Sequence, residues 1–167
     1  GNVRLLCEAA AREAQCLGYT AEIMDTALSC EAREAGAMIA AHAVTAQAPC
    51  AMIWGGETIV HLHGHGKGGR NQEVALGAAQ TLAGQANACV LAAGSDGTDG
   101  PTDAAGGLVD GSTQARLAEQ GVSIHAVLQD NDAYHALERV GGLIHTGPTG
   151  TNVNDVAVAL LIPSEVR

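Results

Sequence analysis

This chain has few large side chains from which to build a core. Phe is absent and there are one Trp and two Tyr, whereas 32 Ala and 22 Gly make up about a third of the 167 residues. Hydrophobic residues still reach 47 %, which excludes disorder. At this length the chain is one domain, or one domain plus a piece of another, and can bury most of its apolar surface. A core of Ala, Val, Leu and Ile with so few anchors closes only if its elements approach one another closely. The same scarcity of rings excludes stacking on nucleic-acid bases as a main activity.

Charge excludes further partners. Eight Lys and Arg against 18 Asp and Glu give −10. A nucleic-acid binder needs a basic face and an anionic membrane needs polybasic clusters, so neither partner is expected. Cys7, Cys16, Cys30, Cys50 and Cys89 form no CxxC and read as reduced thiols of a cytoplasmic protein. Residues 1–15 carry charges throughout, unlike a secretory signal. Two uncharged runs, 35–56 and 74–95, reach membrane length but are Ala-rich and contain amides and Thr, so they read as helix-plus-strand pairs. The chain starts inside a helix without an initiator Met, and a fragment of a longer protein is expected.

Periodicity predicts a helix over 3–17 capped by Asn2 and stopped by Gly18, and a strand over 19–24. A helix over 31–46 is capped by Ser29, with Glu31 and Glu34 near its positive end. Strands follow at 51–54 and 58–63, then a helix over 70–84, a buried strand at 88–93, helices at 112–120 and 132–139, and a last strand at 156–162. Alternating strands and helices predict an α/β fold, a layered sheet with flanking helices.

Fourteen of the 22 glycines lie between 55 and 111, where loops bring backbone N–H groups close to a ligand. The first loop, Gly64 to Glu73, matches GxGxxG between a strand and a helix. The acid that a dinucleotide fold needs about 20 residues on is missing, since Ala88-Cys89-Val90-Leu91 stands there. Lys67 is followed by Gly68, so the loop is no Walker A motif. Lys67 and Arg70 are the only cations between Arg33 and Arg116. Two cations, four glycines and a helix N-terminus together predict an anion site, the alternative being a solvated loop.

The second loop, Gly94 to Gly107, follows the apolar strand and carries Asp96, Asp99 and Asp103. Hard carboxylates at a strand's end suit Mg²⁺, and the alternative is plain turn chemistry. Gly107 at position 12 from Asp96 excludes an EF-hand. The third loop, His145 to Asp155, is dense in hydroxyls and amides that orient a polyol or carboxylate, or simply bond their own backbone. His61, His63 and His65 alternate and raise a zinc alternative, weakened by flanking glycines and the lack of a nearby Cys.

The runs Gly55-Gly56-Glu57-Thr58, Gly68-Gly69-Arg70-Asn71-Gln72-Glu73, Ser95 to Gly106 and Thr146 to Asp155 resemble, in the same order, the C-terminal half of the class II glycerate 2-kinases, which carries the MOFRL domain. Residues 1–50 resemble the helix-strand-helix segment that precedes that domain, and residues 51–167 the domain itself. The resemblance implies ATP-dependent phosphorylation of D-glycerate to 2-phosphoglycerate, with Mg²⁺. The active site would lie in a cleft shared with an N-terminal nucleotide-binding domain absent from this chain, so the chain alone is expected to be inactive. Relatives are often labelled hydroxypyruvate reductases. The alternatives are therefore an NAD(P)H-dependent reductase, which the missing acid argues against, and a non-catalytic substrate-binding half.

By this resemblance Arg70 is the active-site arginine. With Lys67 and loop N–H groups it would hold the substrate carboxylate or the transferring phosphoryl. Asp96, Asp99 or Asp103 would hold Mg²⁺ or orient the attacking hydroxyl. Glu57 and Glu73 would orient Arg70, and Asn71, Thr102, Thr149, Asn152 and Asn154 would contact the substrate. Lys67 stands where Arg is common, which keeps the charge but loses a bidentate fork.

Overall fold

The computed structural model describes residues 2–164. In chain order the elements are α1 (Val3–Cys16), β1 (Thr20–Leu28), α2 (Ala32–Thr45), β2 (Cys50–Gly56), α3 (Arg70–Leu82), β3 (Ala88–Gly94), β4 (Gly106–Asp110), α4 (Thr113–Glu119), α5 (Ile124–Gln129), α6 (Ala133–Arg139), β5 (Leu143–Ile144) and β6 (Asp155–Leu161). The strands form one sheet in the order β1-β2-β6-β3-β4-β5. Only β1 and β2 run parallel; β6 lies antiparallel to both β2 and β3. This is the α/β class that the alternation predicts, and β1 joins residues 1–50 to the same sheet as the rest. No helix among the described residues is long and apolar enough to cross a membrane.

Local chemistry explains most boundaries. Asn2 accepts the Leu5 N–H at 3.0 Å and caps α1. Gly18, at φ +93°, ends it, and the Tyr19 N–H returns to the Ala14 carbonyl at 3.0 Å. Ser29 does not cap α2. That helix begins at Ala32, whose N–H donates to the Ile59 carbonyl at 2.8 Å.

Three predicted elements are corrected. Residues 58–63 join no ladder beyond a single bridge between Ile59 and Glu31. The loop expected through 107 ends at β4, which starts on two glycines. Gly106 packs so tightly that a Cβ there would lie 1.8 Å from the Ala92 carbonyl oxygen. The short helix α5 lies between the two predicted helices at 112–120 and 132–139.

The core is made by close approach, as its composition requires. Helices α2 and α3 cross through Ala32, Ala35, Ile39, Ala40 and Ala43 on one side and Val74, Ala75, Ala78, Ala79 and Leu82 on the other, all buried. Two glycines set the crossing: a Cβ on Gly36 would sit 2.0 Å from the Val74 carbonyl oxygen, and one on Gly77 2.5 Å from the Arg33 carbonyl oxygen. Backbone touches backbone, so neither helix can yield by a rotamer change. Gly36→Ala is expected to destabilise the fold by about 1–3 kcal/mol, read from the urea midpoint; an unchanged midpoint would show that the helices separate freely.

Candidate functional site

The site is assembled where the carboxyl ends of β2 and β3 flank the start of β6, next to the N-terminus of α3. Asp155, the first residue of β6, lies in register with Gly56 on β2 and Gly94 on β3, so no neighbouring side chain crowds its carboxylate. Arg70, the first residue of α3, grips it with two N–H groups. Its Nε lies 2.5 Å from Oδ2 and its Nη2 3.1 Å from Oδ1. Glu57, just past β2, lies 3.1 Å from Nη1. Asp155 is buried, whereas the Arg70 side chain stays 36 % exposed. Hydrogen bonding to Asp155, then the charges of Asp155 and Glu57, hold the Arg70 pKa above its ordinary value against the effect of burial.

Of the five guanidinium N–H donors, those still open on Nη1 and Nη2 suit an oxyanion. Arg70 lines an open cleft of about 400 Å³, walled by Val60, Leu62 and Pro101 and floored by the backbone of Gly64, Gly66, Gly68 and Gly100. Glu57 makes the ion-pair contact with Arg70 that an orienting residue would need. Asp155 is the partner that sequence reasoning missed, although it ends the Thr146–Asp155 run.

The expectation for Asp99 as a metal ligand or catalytic acid is corrected. Its side chain is 2 % exposed and both oxygens are committed to α3. Oδ1 accepts the Asn71 N–H at 3.0 Å and the Asn71 amide at 3.2 Å, and Oδ2 accepts the Gln72 N–H at 2.8 Å. An internal carboxylate therefore occupies the helix N-terminus that was expected to meet a ligand anion. Asn71 and Thr102 belong to the same knot: Asn71 is buried, and the Thr102 hydroxyl donates to the Asp99 carbonyl at 2.7 Å and accepts from the Gln72 amide at 3.0 Å. Both are corrected from substrate contacts to structural residues.

The glycines lock this knot. A Cβ on Gly69 would sit 2.4 Å from the Asp99 Cγ, and one on Gly100 2.4 Å from the Gly68 carbonyl oxygen. The glycine-rich loop is a seam, not an open nest. His65 N–H donates to the Asp130 carboxylate at 3.0 Å, Gly66 N–H to the Asp130 carbonyl at 2.8 Å, and Lys67 N–H to the Asp132 carboxylate at 2.9 Å. The Lys67 ammonium stands 4.0 Å from the Tyr134 ring centroid, and Tyr134 donates its hydroxyl to Asp103 at 2.7 Å. That bond holds the exposed Asp103 carboxyl below its ordinary pKa.

Glu73 is also corrected. It does not orient Arg70: it is buried, paired with Arg33 at 3.1 Å and bonded by the Asn131 amide at 2.8 Å. Asn131 in turn accepts the His63 and Gly64 N–H groups at 2.7 and 3.0 Å. His61 pairs with Glu31; this bonding outweighs burial and lowers the Glu31 pKa.

The third loop docks on the second. Thr149 donates its hydroxyl to the Ser95 carbonyl at 2.5 Å, the Ser95 hydroxyl accepts the Val153 N–H at 2.8 Å, and the Asn152 amide reaches Asp96 at 3.5 Å. Asn154 is exposed, at φ +67°. Asp96 closes its own turn on the Thr98 N–H at 2.9 Å. The three aspartates thus diverge, and among the described residues no three His, Cys, Asp or Glu side chains gather to hold a metal ion. That applies equally to the zinc alternative.

Burial pushes the Asp99 carboxyl up to about 6, against the pull of its hydrogen bonds to Asn71 and Gln72. Its folded-state pKa lies above the unfolded one, so its contribution to stability is full below about pH 4 and is lost as the pH rises through 6. Carbon-13 NMR of the side-chain carboxyl is expected to titrate with a midpoint near 6; a midpoint in the ordinary carboxylate range contradicts this burial.

The chain is similar to several known proteins. The chain is 50 % identical to the D-glycerate 2-kinase of Thermotoga maritima over 97 % of its own length and 40 % of the relative's. The glycerate 2-kinase of Pyrococcus horikoshii is 48 % identical, with 96 % and 38 % covered. A protein of Agrobacterium vitis that carries a hydroxypyruvate reductase name is 38 % identical. The crystal structure of the Thermotoga glycerate kinase superposes with a TM-score of 0.95 over 97 % of this chain and 41 % of that one. The chain therefore spans about 40 % of the length of the curated kinases it matches. Residues 50–155 match the MOFRL family, and the chain belongs to it.

Proposed function

We propose that this chain is the C-terminal part of a glycerate 2-kinase, which transfers the γ-phosphoryl of ATP to D-glycerate and forms 2-phosphoglycerate. The site is shared with a nucleotide-binding domain that supplies the rest of the enzyme, in a cytoplasm that suits the five free thiols. Identity of 50 and 48 % to two proteins named as glycerate 2-kinases supports the reading. The observation that carries it is Arg70, anchored by a buried carboxylate at the mouth of the cleft with donors left for an oxyanion.

Phosphoryl transfer asks the protein mainly for positioning and charge stabilisation. In this reading the glycerate 2-hydroxyl attacks the γ-phosphorus and gives up its proton to solvent, the bond to the ADP oxygen breaks, and ADP leaves with that electron pair. Arg70 holds the glycerate carboxylate through Nη1 and Nη2. Asp155 and Glu57 fix its plane beforehand, so little reorganisation is needed when charge shifts. Lys67 adds positive charge beside the same loop. Asp96 and Asp103 are the acids of the second loop left to orient the attacking hydroxyl, and Asn154 the exposed amide for a substrate oxygen. Thr149 and Asn152 shape the rim.

The donor set does not fit a Mg²⁺ cage built by this chain, because Asp99 is committed to α3 and the other two acids diverge. No step is assigned to the ion, which on this reading arrives with the ATP phosphates. The reductase alternative lacks support in the loop that it needs: the N–H groups of His65, Gly66 and Lys67 that would meet a pyrophosphate are already bonded to residues 130–132.

Arg70→Ala in the complete kinase is expected to lower kcat/KM about 10²–10³-fold with far-ultraviolet circular dichroism unchanged. Assays with hydroxypyruvate should consume no NADH or NADPH. Near-wild-type kinase turnover by the variant, or steady nucleotide oxidation, would remove the reading.

A further inference from the structure

A buried carboxylate, Asp99, fills the N-terminus of α3. Two constraints meet on Arg70: Asp155 fixes its guanidinium, and Asp99 fixes the backbone of the two residues that follow it. The first α3 N–H groups have no other anchor of this kind, since Gly69, at the cap position, has no side chain to offer. A Cβ at Gly69 would collide with Asp99, so the loop and the helix meet with no slack between them.

We propose that Asp99 is a positioning residue that acts through Arg70: it sets where α3 begins, and thereby where the guanidinium stands relative to the substrate anion. Asp99 touches neither substrate nor metal in this assignment. It serves as a built-in anion, taking the helix-terminal place that a phosphate takes in many nucleotide-binding loops, and it leaves recognition of the external anion to the arginine. The inference rests on the kinase reading of Arg70.

The geometry gives the assignment two distinguishing properties. Asparagine at 99 has nearly the same shape but presents an NH₂ where Oδ1 or Oδ2 now accepts an N–H, so one donor of the first turn is left facing a donor. A side chain cut back to glycine leaves a hole shaped for a small carboxylate. Misplacing a catalytic group by about 1 Å can cost about 100-fold, and that is the loss expected in kcat for Asp99→Asn at pH 8, where the native carboxyl is ionised.

The test combines kinetics and NMR of the complete kinase. Asp99→Asn should lower kcat about 100-fold, and the Asp99→Asn/Arg70→Ala double variant should be no slower than Arg70→Ala alone. Sodium formate should restore activity to Asp99→Gly but not to Arg70→Ala. In the complete kinase, the Arg70 Nε–H resonance should lose its downfield, Asp155-bonded position in Asp99→Asn. Full activity in Asp99→Asn, losses that multiply in the double variant, or an unmoved Nε–H resonance would each overturn the inference. Should Asp99→Gly fail to fold, the asparagine variant and the resonance still decide. Undiminished activity in Arg70→Ala would instead bring down the kinase reading, and the NMR result would stand apart from it.

Discussion

Everything near the site depends on where α3 begins, and one buried carboxylate sets that point. Asp99 reaches from the loop after β3 and takes the Asn71 and Gln72 N–H groups. A helix start is otherwise four donors in search of partners. By satisfying two of them from a distant loop, Asp99 binds the second loop to the first and puts Arg70 at the rim. Arg70 then closes the arrangement on the sheet through Asp155. Helix, loop and central strand are thus joined by two carboxylates, whose partners stand 28 and 85 positions apart along the chain.

The glycines serve this joining. Composition alone suggests that a glycine-rich, cation-bearing loop in an acidic chain cradles an anion with its backbone. In the structure the loop donates its N–H groups to Asp130 and Asp132, and its missing side chains admit those same residues: a Cβ on Gly64 or Gly66 would strike Asp130 or Asp132 within 2.4 Å. The principle is the one that lets α2 and α3 cross through Gly36 and Gly77. A chain with almost no aromatic rings fills space by bringing backbone onto backbone, and its glycines mark the places where this happens.

Much of the fold was legible because its signals are local. The cap at Asn2, the stop at Gly18 and the apolar run of β3 each act within a few residues. The strand expected at 58–63 failed for a physical reason: alternation describes an extended chain, but a strand also needs a ladder, and this segment bonds to Cys30, Glu31 and Asn131 instead. In the site, Arg70 stood out as a cation in an acidic background, and Glu57 as the acid of the separate Gly55–Thr58 run. Asp155 could not be assigned from spacing, because only the sheet register brings it beside Gly56 and Gly94. Asp99 and Glu73 misled because an acid in a polar loop and an acid in a first helical turn both look available. Burial, invisible in the sequence, turns them inward.

In the proposed kinase Arg70, preset by Asp155 and Glu57, receives the substrate anion. A crystal structure of the complete kinase with D-glycerate bound tests it most directly. An oxygen of the ligand carboxylate is expected about 2.7–3.2 Å from Nη1 or Nη2 of Arg70, with the Asp155 and Glu57 contacts intact. Glycerate bound elsewhere, with Arg70 still paired only to its two carboxylates, would contradict it.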